Sequence, residues 1–273
     1  SVEYAEVLAA RGDKLQQIRV GETLREAQKL LDPVWGGSYQ YSTGGNWKEP
    51  HFEKLIYIQS QTLRTYAQAY GHWRDPAYLA AAQNVRRYVR SFLTSPDGAF
   101  YVSQDADVVV GEDSAAYFAL SDPRRRALGV PRVDKHLYAR ENGWMFRSLC
   151  SLYAATGDNA TLQEALRAAR WVVAHRTLSN GGFSHGDHDV AGPFLGDTLA
   201  MGQAFLSLYE VTADREWLNR AEEARRFLAM NFVVGSSAGF VTSKASTDHT
   251  YKPHPERDEN AQVAQFADRK SVG

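Results

Sequence analysis

WMFRSLCSLYAATGDNATLQEALRAARWVVAHR, running from Trp144 to Arg176, is the stretch on which the fold turns. Between Trp144 and Ala155 the only charged residue is Arg147, so a helix over that run is apolar on nearly every side. Helices of that kind are buried, whereas a helix with one charged face covers a core from outside. Thr156-Gly157-Asp158 then has the chemistry of a tight turn, and LQEALRAARWVVAHR resumes helical spacing. The stretch reads as a helical hairpin.

Working outward, the same order recurs on both sides. Upstream, EKLIYIQSQTLRTYAQAY starts at Glu53 and is followed by an Asp75-Pro76 turn and a second helix over residues 77–92. Ser95-Pro96-Asp97-Gly98 and the extended stretch AFYVSQDAD come next. Downstream, TLAMGQAFLSLYEV follows Asp197, then the turn Thr212-Ala213-Asp214 and EWLNRAEEARRFLAMNF, whose Glu222, Glu223, Arg225 and Arg226 form one charged face. Asn180-Gly181-Gly182-Phe183 and Ala238-Gly239-Phe240-Val241 close the second and third copies.

Repetition at such a period is the mark of an array of supersecondary units. The predicted fold is all-α: an α/α helical-hairpin toroid or incomplete (α/α)6 barrel, with short extended segments in its long loops. The first helix of each pair lies inside and the second outside. Residues 14–31 read as a further outer helix ending at Asp32-Pro33, with a short helical stretch before it, and Glu259 starts another inner helix. Three complete pairs with partial ones at the ends predict a single toroid domain over residues 1–273, truncated at one or both ends.

At 44% hydrophobic over 273 residues the chain can bury a large core. Its net charge of −1 gives no electrostatic footprint for nucleic acid or an anionic membrane. Arg124-Arg125-Arg126, the one basic run, reads as a solvated loop face. The single cysteine, Cys150, excludes an internal disulfide and sits in an apolar stretch, as a packing residue does. No apolar run has membrane-spanning length and no secretory signal stands at Ser1, so a cytoplasmic setting is expected. No Walker loop, dinucleotide fingerprint or nucleophile elbow occurs, and no cofactor is expected.

Because helices alternate in direction, every long connection falls at one end of the array, where loops on a rigid scaffold build sites. The inner helices begin at His51-Phe52-Glu53, Glu141-Asn142, Gly196-Asp197 and Glu259-Asn260. Taken singly, each acid has the ordinary explanation of a helix cap or a dipole partner. Taken together, they form a polar cluster at one mouth. The loops add Trp35, Tyr39, Tyr41 and Trp47, then Gln104, Asp105 and Asp107, then His185, Asp187, His188 and Asp189. Aromatic rings beside carboxylates and amides suit a polyol, and equally suit a sealed mouth with solvated acids. The candidate catalytic groups are therefore His51, Glu53, Asp105, Asp107, Glu141 and Asp197. The candidate ligand contacts are Trp35, Tyr39, Tyr41, Trp47, Gln104, Asn142, Glu259 and Asn260. His185-Gly-Asp-His-Asp lies in one loop without a helical ligand pair, and no metal is expected there.

Asp32-Pro33-Val34-Trp35-Gly36-Gly37, the run from Trp47 through Pro50-His51-Phe52-Glu53-Lys54, and Gln104-Asp105-Ala106-Asp107 carry a resemblance. They resemble signatures of the thioredoxin-domain-containing proteins related to the spermatogenesis-associated thioredoxin-like proteins, over most of the chain. The resemblance implies a six-hairpin toroid similar to N-acylglucosamine 2-epimerases and six-hairpin glycosidases, following a thioredoxin-like domain. This sequence has neither that domain nor a Cys-x-x-Cys motif, so no redox role is expected of it.

Two functions follow as expectations. The first is a carbohydrate-active enzyme. A glycoside hydrolase would use two facing carboxylates, and a sugar epimerase or isomerase a carbon-acid base such as His51. The second is a non-catalytic ligand-binding or scaffold module that docks a thioredoxin-like partner or a second copy of itself.

Overall fold

A computed structural model describes residues 14–109, 111, 114–189, 192–233, 239–244 and 253–270. The short helix expected before residue 14 lies outside them. Among the described residues there are ten α-helices: α1 Lys14–Ala27, α2 Ile56–Trp73, α3 Pro76–Phe92, α4 Ser114–Phe118, α5 Asp122–Leu128, α6 Ala139–Thr156, α7 Asn159–Arg176, α8 Leu195–Thr212, α9 Arg215–Asn231 and α10 Arg257–Lys270. Five two-residue strands lie in the long connections: β1 Tyr41–Ser42, β2 Pro50–His51, β3 Lys54–Leu55, β4 Ser103–Gln104 and β5 Val133–Asp134. β1 pairs antiparallel with β2, and β3, β4 and β5 form an antiparallel ribbon in that order.

The predicted hairpins are present, and their turns share one chemistry. Arg74, Gly157 and Ala213 each adopt a left-handed conformation at the end of the first helix, with φ of 55°, 71° and 56°. One residue later an aspartate caps the second helix. Asp75 accepts from the Ala77 N–H, Asp158 from Ala160 and Asp214 from Glu216, at 2.9, 3.0 and 3.0 Å. Each cap satisfies a donor that the helix cannot satisfy itself. After each second helix the chain folds back in an isolated antiparallel bridge: Thr94 with Phe100, Thr177 with Phe183, Val233 with Phe240. Leu31 and Ser38 make the same bridge after the helix of residues 14–30.

Burial follows the expected contrast. Every residue of α8 from Leu195 to Leu208 is buried, whereas its partner α9 buries one stripe, Trp217, Ala221, Ala224, Phe227 and Leu228. α3 likewise buries Tyr78, Ala81, Ala82, Val85, Tyr88 and Val89 along one face. Cys150 is 1% exposed, as its apolar surroundings predict.

By contacts the chain divides into two compact units. Unit 1 is Ser1–Pro96, Phe100–Lys135 and Ser151–Thr161; unit 2 is Asp97–Ala99, His136–Cys150 and Leu162–Gly273. Unit 1 is organised by a buried charge triad. Asp32 receives Lys54 Nζ at 2.7 Å and both terminal nitrogens of Arg125 at 2.7 and 3.1 Å. All three residues are 0% exposed. Lys54 Nζ lies 4.4 Å from the Tyr88 ring centre and Arg125 lies 5.0 Å from that of Trp35. Burial pulls Lys54 down to about 8, against the opposing pull of Asp32. Burial alone would raise Asp32, but the hydrogen bond from Arg125 and the charge of Lys54 hold it below the usual carboxylate range.

Two sequence expectations change here. The basic run is not a solvated loop: Arg124, Arg125 and Arg126 lie in α5, and Arg125 turns inward because Asp32 offers it a bidentate partner. The first inner helix does not begin at Glu53 either. Lys54 and Leu55 pair with Gln104 and Ser103 as a strand, and the first turn of α2 contains no acid.

Replacing Asp32 with Asn leaves two buried cations without their anion and should cost about 3–5 kcal/mol. Lys54→Met keeps the Asp32–Arg125 pair and should cost well under half of that. Urea denaturation of both variants, followed by tryptophan fluorescence, separates the two; equal losses would contradict the triad's role.

Candidate active site

The candidates from unit 1 fall into three settings. Trp35, Tyr39 and Gln104, at 4%, 5% and 0% exposure, belong to the core. Trp35 Nε1 donates to Asp122 at 2.6 Å, Tyr39 packs edge-on against Phe52 and Phe118, and Gln104 accepts from the Tyr88 hydroxyl at 3.0 Å. Tyr41 and His51 stack on the surface with ring centres 5.1 Å apart, and His51 stands 3.7 Å from Glu53. Trp47 is partly exposed in the turn between β1 and β2. Asp105 is tied to exposed Arg132 at 3.0 Å, and Asp107 accepts from the Ser114 hydroxyl.

Unit 2 brings its candidates together. Glu141 sits in the first turn of α6 and Asp197 in the first turn of α8. Gly143 lets these two helices approach closely, since a methyl group there would stand 3.0 Å from the Ala200 backbone. The loop before α8 delivers His185. Ligand atoms of Glu141, His185 and Asp197 all lie within 4.8 Å of one another. Glu259, in the first turn of α10, joins them: its Oε1 is 3.0 Å from where a side chain at Gly196 would begin.

The contacts within this group are directional. Asp197 Oδ1 accepts from the Arg140 backbone N–H at 2.9 Å and lies 3.0 Å from His185 Nδ1, which is 3.2 Å from Oδ2. With Nδ1 committed to Asp197, Nε2 is the ring nitrogen left for a ligand. Glu141 Oε1 receives the Arg140 guanidinium at 3.0 and 3.2 Å. Glu141 Oε2 and Glu259 Oε2 are buried and have no hydrogen-bond partner among the described residues.

His185 is held on three sides. Asp189 accepts from its backbone N–H at 2.7 Å, its carbonyl accepts from Ala139 at 3.0 Å, and its ring stacks on Tyr138 with centres 4.0 Å apart. A cleft of about 310 Å³ runs along the same loop, lined by Arg176, Ser184, Gly186, Asp187 and Asp189 among others. Arg176 pairs with Asp187 there at 2.8 Å.

Two charges are displaced from their ordinary balance. Burial raises Glu259, opposed by Arg140 and assisted by Glu256 and Asp197. Burial would lower His185, but the hydrogen bond and charge of Asp197, with Glu141 behind them, leave it raised above 6.5.

Of the remaining candidates, Asn142 is buried and donates to the Tyr138 carbonyl, and Asn260 clamps the Phe240 backbone at 2.7 and 2.8 Å. Sequence reasoning left out Arg140 and did not give His185 a site role. Arg140 is adjacent to Glu141, and His185 heads the dense His-Gly-Asp-His-Asp run, so both carried a signal. The missing piece was that helices from two different repeats supply the partners of His185.

No family model matches the sequence. The chain is 29% identical to spermatogenesis-associated protein 20 of Rattus norvegicus over 200 residues, 71% of this chain and 23% of that protein. The Mus musculus protein of the same name is 28% identical over 224 residues, 79% of this chain and 25% of that protein. The chain spans about a quarter of the length of the rat and mouse proteins it matches.

Among solved structures, a family 76 glycoside hydrolase, an α-mannanase of Bacteroides thetaiotaomicron, superposes with a TM-score of 0.71 at 15% identity. That match covers 98% of this chain and 67% of the hydrolase. Cellobiose 2-epimerase from Bacillus thermoamylovorans gives 0.65 at 16% identity, covering 81% and 56%. At such identities the likeness shows fold alone. The fold is that of the α/α-toroid glycosidases and sugar epimerases, and the expected fold class and family resemblance are both borne out. Among the described residues no helix is long and apolar enough to cross a membrane.

Because the folded-state pKa of His185 is raised, the pair with Asp197 adds stability below about pH 6.5, and that contribution is lost as pH rises through the raised value. The melting-temperature gap between the native chain and His185→Gln should therefore narrow from pH 5.5 to pH 9. In Asp197→Asn, burial dominates and the His185 pKa should fall, as an NMR titration of the ring would record. An unchanged value would show that Asp197 is not its partner.

Proposed function

We propose that unit 2 holds a sugar-binding acid–base site of the epimerase or isomerase type. The observation that carries this reading is the pair of buried carboxylate oxygens, Glu141 Oε2 and Glu259 Oε2, that lack hydrogen-bond donors. A buried acceptor left unsatisfied costs about 1–3 kcal/mol, more when charged, and a sugar supplies hydroxyl donors in the spacing such acceptors need. A sealed scaffold would instead tie its acids into salt bridges, as Asp32 is tied in unit 1.

In this reading the named atoms take distinct roles. His185, oriented through Nδ1 by Asp197, presents Nε2 as a base toward a carbon-bound proton beside a sugar carbonyl. Glu259, shifted by burial toward its protonated form, serves as the proton donor. Tyr138 braces the imidazole, and Arg140 holds Glu141 as a hydroxyl acceptor. The likeness in fold to cellobiose 2-epimerase and to a D-mannose isomerase supports the same reaction class. His51, the base first expected from sequence, stacks on Tyr41 in unit 1 and has no role in this scheme.

One observation favours a second reading. Glu141 and Asp197 present oxygens within 4.8 Å of each other, close to the separation of about 5–5.5 Å used by retaining glycosidases. Against it, Asp197 is 1% exposed and already accepts from Arg140 and His185.

Incubation with reducing mono- and disaccharides in D₂O should give deuterium at the carbon next to the carbonyl. His185→Gln should slow that exchange by about 10²–10⁴-fold. The same sugars should raise the melting temperature of the native chain. Release of reducing ends from an aryl glycoside without deuterium incorporation would favour hydrolysis, and no exchange and no shift with any sugar would leave the scaffold reading in place.

A further inference from the structure

We infer that Glu141, His185 and Asp197 form a site for one divalent first-row transition-metal ion, of the Zn²⁺ or Mn²⁺ class. This goes beyond the sugar reading and does not depend on it. The three side chains come from separate segments, α6, the loop before α8, and α8 itself, yet converge within 4.8 Å. One imidazole and two carboxylates make a borderline donor set, which suits zinc and manganese better than magnesium or calcium.

Three features mark the site as built for a cation rather than assembled by chance. First, Glu141 is 6% exposed, and its Oε2 has no hydrogen-bond partner among the described residues, so a donor position is already desolvated and free. Second, ligands about 2.0–2.2 Å from one tetrahedral ion stand roughly 3.3 Å apart. His185 Nδ1 and the Asp197 oxygens, at 3.0 and 3.2 Å, already have nearly that spacing.

Third, the ligands are oriented by their neighbours, as metal ligands are. Asp189 fixes the His185 backbone through its N–H and that of Gly186, at 2.7 and 3.0 Å. Arg140 holds the other Glu141 oxygen, and its backbone N–H holds Asp197. Asp197, Glu141 and nearby Glu259 all act on the Arg140 guanidinium, which lies 5.0 Å over the Trp144 ring. An ion bound between them would replace the hydrogen bond of His185 Nδ1 to Asp197 with one bond to each residue; with Glu141 the ligand count is three, and the remaining positions are open to water or a substrate oxygen.

Chelator-stripped protein should be titrated with ZnCl₂ in a calorimeter and with MnCl₂ under electron paramagnetic resonance, without sugar present. The expected result is saturable binding of one ion per chain, weakened about 10–100-fold by either His185→Ala or Glu141→Gln. Circular dichroism confirms that each variant remains folded, and Glu141→Gln preserves shape should His185→Ala unfold. Absence of stoichiometric binding to the native chain, or binding of equal strength in folded Glu141→Gln, would overturn the site. Repeating the sugar melting-shift assay in excess chelator keeps the two readings apart, because a sugar shift retained in protein that binds no metal removes only the metal inference.

Discussion

The Asp32–Lys54–Arg125 triad is the constraint on which unit 1 depends. Bringing each ion out of water costs several kcal/mol, and the surroundings are arranged to offset that cost. Asp32 spends both oxygens on its cations, Lys54 adds the Gly36 carbonyl at 2.8 Å, and Arg125 adds the carbonyls of Leu120 and Phe118. Aromatic faces cover what remains: Tyr39, Tyr88 and Phe118 over the lysine, Trp35 and Phe118 over the arginine. Satisfying all of these at once requires that the turn after Asp32, strand β3 and helix α5 meet in one register. Gly37 contributes at φ 80°, where a side chain would collide with the Tyr88 ring at 2.5 Å.

Unit 2 applies the opposite policy to its charges. Among the described residues of unit 1 the buried ionic atoms of the triad all have partners; around His185 two carboxylate oxygens do not. The scaffold is nonetheless firm. The His185 loop is pinned by Asp189, its ring is stacked, and Asp197 is locked between a backbone amide and the imidazole. Firm surroundings with unsatisfied polar atoms at the centre orient those atoms in advance, which is the arrangement the proposed site relies on.

Much of the fold was legible because its signals are local. An apolar helix, a turn with aspartate and a one-sided helix can each be read within about 15 residues, and Asp75, Asp158 and Asp214 recur at the turns as helix caps. The site was half legible. Glu141, Asp197 and Glu259 were picked out as candidates by their place at helix starts, and the structure brings them together while Glu53, Asp105 and Asp107 stand elsewhere in unit 1. Arg125 and Lys54 were misplaced for the converse reason. A basic run looks solvated until its anion is known, and Asp32 lies 93 residues away from Arg125 along the chain. Trp35, Tyr39 and Gln104 were ambiguous from composition, since rings that stack on a sugar and rings that cover a buried cation are the same residues.

The triad also changes what a shared signature means. The motif around Asp32, Trp35 and Gly36, together with Lys54, is what makes this chain resemble its relatives, yet those residues build the interior of unit 1. In this chain those residues serve the scaffold. The candidate site draws on a separate set, Arg140, Glu141, His185, Asp197 and Glu259. Under the proposed reading, the second set rather than the first is where relatives of different activity would differ.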